Sequence, residues 1–212
     1  MEDKMEQKME DKLFDWLFGV IERPVQTLNE IAQEKPIGWA LLVALGVSAL
    51  TVASNTLGGA GYHRMDEAMR EFNFFVSPAL IIAGSVLLAA VWLFIITGVL
   101  HLLSKLFGGK GGYWNLFSAY SFAGFPMIIS VPVSFVGAYL GVIGNLISGL
   151  VTFGITIWVL VLQVIALRES HDLTTGASIG IYLINFALLF VIIFVLIIAL
   201  LAAVLLPMRL MF

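Results

Sequence analysis

Apolar and polar positions divide the chain into a charged beginning and five long apolar runs. The first residues repeat every four, MEDK MEQK MEDK, and continue as LFDWLFGVIERP, which sets Met5, Met9, Leu13, Trp16 and Val20 along one helical stripe. Pro24 opens a second amphipathic stretch, PVQTLNEIAQE, with Val25, Leu28 and Ile31 on one side and Gln26, Asn29, Glu30 and Gln33 facing away. Both pieces are too short or too polar to cross a bilayer. They are expected to lie along its surface or against the end of a bundle, with Trp16 and Phe18 at headgroup level.

Each later run approaches or exceeds the roughly 20 residues that cross a hydrocarbon core of about 30 Å. The expected spans are 36–57, 78–106, 114–140, 144–167 and 177–206, behind an arm of residues 1–35. The second is long enough to tilt or to project into the interface, and HLLSKLF at its end has the mixed pattern of an emerging helix. The third carries Pro126 and Pro132, so it is expected to kink. Kinks are tolerated in a membrane where neighbouring helices or hydroxyls satisfy the freed carbonyls, which puts this span at the centre of the bundle. Gly137, Gly141, Gly144, Ser148, Gly149 and Gly154 predict a close-packed hairpin of the third and fourth spans, within one chain or between two copies.

Composition agrees with a bilayer as the surrounding medium. Hydrophobic residues make up 60% of the 212, charged ones 12%, and the mean hydropathy is +1.02; soluble domains run at roughly 45–50% apolar. The fold class is therefore all-α, a polytopic transmembrane helical bundle of five spans. Net charge is −3, which provides no field for nucleic acid. There is no cysteine, so thiolate catalysis and cysteine metal sites are excluded. The first 35 residues lack an apolar signal core, and the first span is expected to direct its own insertion. Lysine and arginine near the span ends set the sidedness. Arg23, Lys35, Lys105, Lys110 and Arg168 fall on the side of the N-terminus, against Arg64, Arg70 and Arg209 on the other. A multi-pass protein of the cell (cytoplasmic) membrane is expected, N-terminus in the cytoplasm and C-terminus outside.

Two loops carry a resemblance. HLLSKLFGGKGGYWNLFSAYSFAGFP, with His101 to Leu103 and Gly108 to Gly111, and IWVLVLQVIALRESHDLTTGASIGIYL, with Leu167 to Thr174, resemble the Yip1 domain, a family of five-span membrane proteins; the likeness runs from about Phe14 onward. Eukaryotic members of that family act in vesicle traffic, bind Rab-type GTPases and associate with one another. This chain has the compact prokaryotic form and lacks their Asp-Leu-Tyr-Gly-Pro element, offering a short arm with Glu22, Arg23 and Pro24. The resemblance therefore implies a non-catalytic scaffold or adaptor in membrane organisation or trafficking. Its working face would be the arm together with the turns carrying Lys105, Gly108, Gly109, Lys110, Gly111, Arg168, Glu169, His171 and Asp172. Expected partners are membrane lipids and a membrane or cytosolic protein, with a homo-oligomer as an alternative.

No catalytic, cofactor-binding or metal-binding residue stands out. GGKGG lacks the GxxxxGK[ST] spacing of a phosphate loop, although its amides and Lys110 suit a lipid phosphate. The histidines are His63, His101 and His171, and the sidedness separates His63 from His171, which excludes a three-histidine site. Asp172 or Thr174 suits a cap of the last span, and Arg168 and His171 suit a helix C-terminus. At depth, Gln163 and Asn185 are primary amides that need partners, and a pair between them across the fourth and fifth spans is expected. The absence of a deep Asp, Glu, Lys or Arg speaks against ion-coupled transport. A small transporter, channel or lipid-translocating protein working through the kinked third span is the alternative.

Overall fold

A computed structural model of the protein describes residues 2–58 and 77–209. The polar loop expected between the first two spans, with His63, Arg64 and Arg70, lies outside the described residues, as do the side chains of Met5, Met9 and Arg209. Among the described residues all regular structure is helical: α1 Glu2–Glu22, α2 Pro24–Glu34, α3 Ile37–Gly58, α4 Pro78–Leu106, α5 Tyr113–Ala123, a 3-10 turn Phe125–Ile129, α6 Ser130–Tyr139, α7 Gly141–His171 and α8 Thr175–Arg209. Five bodies are long and apolar enough to cross a membrane, with α5, the 3-10 turn and α6 forming the third.

Local chemistry sets the boundaries. Pro24 occupies the first turn of α2 and Pro78 that of α4, where the missing N–H costs nothing. The Ser77 side chain caps α4 by accepting from the Leu80 N–H. Pro126 falls at the start of the 3-10 turn, and Ser121 and Ser130 donate their hydroxyls to the carbonyls of Phe117 and Met127 around the break. The broken span is central, packing against α2, α3, α4 and α7. In the hairpin of α6 and α7, a methyl on Gly137 would overlap Ser148 Oγ, one on Gly144 would overlap the Gly137 carbonyl, and Ser148 Oγ donates to Val133 O at 2.9 Å. Gly149 and Gly154 have nothing within 4 Å and take no part in that contact, because they lie on other faces of α7.

The arm is built into the bundle. Gly19 lets α1 meet α2, since a methyl there would overlap Thr27 Oγ1, and Lys12 reaches Glu34 at 2.5 Å. Trp16 is buried against Phe122 of α5, ring centroids 5.7 Å apart, so only Phe18 keeps the exposed position expected of both. Val25 is likewise exposed, and the buried face of α2 is Thr27, Leu28, Ile31 and Ala32. Leu28, Ile31 and Ala32 join the cluster with Phe117 and Phe122 of α5 and Leu162 and Ala166 of α7, and Val25, in the first turn of α2, stays outside it. Removing side chains such as Val20, Leu28 and Ile31 from water contributes about 1.5–3 kcal/mol each.

Two buried clusters meet at this end of the molecule. One joins Trp16, Val20, Leu28 and Ile31 to Phe117, Phe122, Leu162 and Ala166; the other joins Ile96 and Leu100 to Leu116, Leu167, Ile181 and Tyr182. Toward the far end of α8, Phe190 to Ile198 are all at least 50% exposed, a surface that lipid tails solvate at no cost.

Candidate functional site

The ends of α2, α4 and α7 and the start of α5 converge on one surface, and the GGKGG turn is its keystone. Gly108 has φ +83°, a conformation open to glycine, and the Gly109 N–H closes back on Ser104 O at 2.8 Å. The Lys110 N–H donates to His171 O at 3.0 Å, and Lys105 Nζ donates to Lys110 O at 3.3 Å. Gly111 lies so close to α7 that a methyl there would overlap the Ser170 carbonyl. The turn is therefore pinned from both sides and presents the Lys110 side chain outward.

Below it, His171 is fully buried and meets His101 of α4, Nε2 to Nδ1, at 2.9 Å. Ser170 Oγ stands 3.2 Å from Leu167 O and 3.0 Å from His171 Nδ1, so one chain of hydrogen bonds runs from the Leu167 carbonyl through Ser170 and His171 to His101. Tyr113 stands edge-on to His101, with its hydroxyl donating to Phe94 O at 3.2 Å.

The arm is tied to the same place. Asn29 Nδ2 donates to Glu169 Oε2 at 2.9 Å, while Arg168 holds Glu169 Oε1 at 2.6 Å and donates to Thr175 Oγ1 at 3.0 Å. Asp172 ends α7 in the left-handed region at φ 53°, and Thr174 Oγ1 caps α8 by accepting from the Ala177 N–H. Lys105, Gly108, Gly109, Lys110, Gly111, Arg168, Glu169, His171 and Asp172 are thus brought together on one end. The deep amides are not. Gln163 Oε1 accepts from Tyr182 OH at 3.3 Å, and Asn185 Oδ1 is buried with no partner among the described residues. Tyr182 lies three residues before Asn185 on the same face of α8, and its longer side chain reaches the glutamine first.

The sequence alone did not reveal the contact between the two histidines, 70 residues apart, nor the parts of Asn29 and Ser170. The one signal in the chain was Ser170 and His171 closing an apolar helix at the turn that pairs with a glycine-rich one. Among the described residues no three histidine or carboxylate side chains gather as a metal site would require.

Two cavities adjoin these elements. A polar one of 440 Å³ lies between α2, the GGKGG turn and the end of α7. A mostly apolar one of 340 Å³ lies at the break of the third span, beside Ser48, Tyr120, Ser121 and Gln163.

The pinned turn, the histidine-bearing helix ends and the broken third span all fall within residues 18–208, which the Yip1 domain model matches. The chain belongs to the Yip1 domain family. As a Yip1 domain protein with five spans, it is an integral membrane protein. No curated protein and no solved structure matches it.

Proposed function

We propose that this Yip1 domain protein is a non-catalytic scaffold or adaptor in membrane organisation or trafficking, engaging a protein partner or lipid headgroups through the end formed by its arm and two turns. The interlock carries the reading: Lys110 on His171, His101 on His171 and Asn29 on Glu169 join segments remote in sequence into one surface. A surface held rigid before binding loses little entropy when a partner docks, which is what an adaptor needs. The lysine and arginine distribution supports a cytoplasmic position for this end, in the cell membrane, with the C-terminus outside. Photo-crosslinkers placed at Gln33 and at Lys110 in native membranes test the reading. A shared adduct that disappears in Gly111→Ala is expected, and adducts that differ between the two sites or ignore the substitution would refute it.

A second reading, a small transporter, channel or lipid-translocating protein, has the cavity at the break of the third span in its favour. Liposome flux that is lost with Gln163→Leu would support it over the scaffold.

A further inference from the structure

Among the described residues, two that are not glycine have positive φ: Lys35 at 54° and Asp172 at 53°. Each ends a helix in the left-handed cap, with its N–H returned to Ile31 O and Arg168 O respectively. Glycine takes this position at least cost; aspartate tolerates it better than lysine, and neither gains from it. The left-handed backbone by itself therefore gives no reason for a lysine at 35, beyond the helix-end and sidedness charge it also supplies. Yet the two residues, one cationic and one anionic, come from helix ends 137 positions apart and line the same 440 Å³ cavity.

The rest of the lining completes a recognisable set. Lys110 joins Lys35, and none of Lys35, Lys110 and Asp172 is in an ion pair among the described residues. Gly112 opens α5 without a side-chain cap, so among the described residues no cap competes for the first amides of that helix, which starts in the same lining as the two lysines. Glu169 is already engaged by Arg168 and Asn29, which leaves Asp172 as the free carboxylate. Two ammonium groups and the amides of a helix start suit a phosphate, and one carboxylate suits an amine beside it.

The position selects the source of that chemistry. Lys35 lies two residues before the span beginning at Ile37, Gly112 one before that beginning at Tyr113, and Asp172 one after that ending at His171. Ends of three helices long and apolar enough to cross a membrane thus frame the cavity, the part of such helices that headgroups can reach. Trp39, half-buried, follows Lys35 by four residues and Trp114, 44% exposed, follows Gly112 by two, the places near span starts where interfacial aromatics stand.

We propose that this cavity binds the headgroup of a phospholipid carrying a phosphate and a primary amine. The phosphate lies among Lys35, Lys110 and the start of α5, and the ammonium lies on Asp172. This rests on the reading of the same end as a docking platform and names its ligand.

Native mass spectrometry of the full chain, in micelles supplied with phosphatidylethanolamine, phosphatidylglycerol or phosphatidylcholine, tests it. The intact protein retains phosphatidylethanolamine over the other two. Asp172→Gly brings phosphatidylethanolamine and phosphatidylglycerol level, a loss of preference of about tenfold, while Lys35→Gly lowers retention of all three. Both glycine variants melt at or above the temperature of the parent, because each relieves a left-handed side chain, so a loss of lipid is not a loss of fold. Equal retention of the three lipids by the parent, or an unchanged preference in Asp172→Gly, overturns the proposal. Tighter retention of free phosphoethanolamine than of phosphatidylethanolamine also overturns it, since the ligand is then a soluble one. If lipid preference is absent but the shared adduct from Gln33 and Lys110 is a protein, the headgroup site fails and the platform stands; if neither is found, both fail.

Discussion

Substituting the glycines of the turn one at a time separates a docked turn from a flexible connector. At Gly111 an alanine methyl would overlap the Ser170 carbonyl oxygen, which is backbone and has no freedom to rotate away. Forcing the turn off α7 costs about 1–3 kcal/mol in overpacking. The Lys110 N–H to His171 O bond breaks with it, adding about 1 kcal/mol. Gly111→Ala should therefore lose about 2–4 kcal/mol. Gly108→Ala meets nothing within 4 Å but must hold φ +83°, for a loss of about 1 kcal/mol. Gly112 has φ −94° and a methyl there meets only the side-chain end of Asn115, so Gly112→Ala costs at most about 1 kcal/mol, the preference for glycine over alanine at a helix N-cap. Unfolding of each variant in mixed micelles, followed by tryptophan fluorescence, gives the order. A connector that touches nothing predicts three small and equal effects; finding Gly111→Ala as stable as Gly112→Ala would refute the docked turn.

Three further outcomes follow from the same geometry. A double-mutant cycle with His101→Ala and His171→Ala, measured by the same unfolding assay, should show a coupling of about 0.5–1.5 kcal/mol, and strict additivity would mean the rings do not interact. Asn29→Ala removes the tie from α2 to Glu169 and should raise the rate of proteolysis within residues 11–34 without moving the main transition; an unchanged rate would place the arm's attachment elsewhere. Tyr182→Phe frees Gln163 and should cost about 0.6 kcal/mol, up to about 1.7, whereas Asn185→Leu, which removes an unpartnered oxygen, should be neutral or stabilising; the reverse order would return the amide pair.

The span count and the broken third span were legible because a bilayer imposes length and apolarity on the sequence, and the prolines at 126 and 132 remove backbone donors that an unbroken helix requires. The end that carries both turns was legible as segments and illegible as contacts. Lys110 and His171 were each expected there, but hydrogen bonds between turns about 60 residues apart leave no periodic signature. The arm misled for a physical reason: Trp16 has the pattern of an interfacial anchor, and the same amphipathic stripe serves equally well against Phe122. Gln163 and Asn185 were correctly marked as amides in need of partners, yet the reach of Tyr182 decided which one received it.

The chain contains no cysteine, so single cysteines report sidedness without a background. Lys35→Cys, Lys110→Cys, Asp172→Cys and His63→Cys, each treated with an impermeant maleimide on sealed vesicles of known orientation, test the convergence of the arm and both turns on one cytoplasmic face. The first three should label from the cytoplasmic side only and His63→Cys from the opposite side only. Labelling of Lys110→Cys and Asp172→Cys from opposite sides would contradict the account.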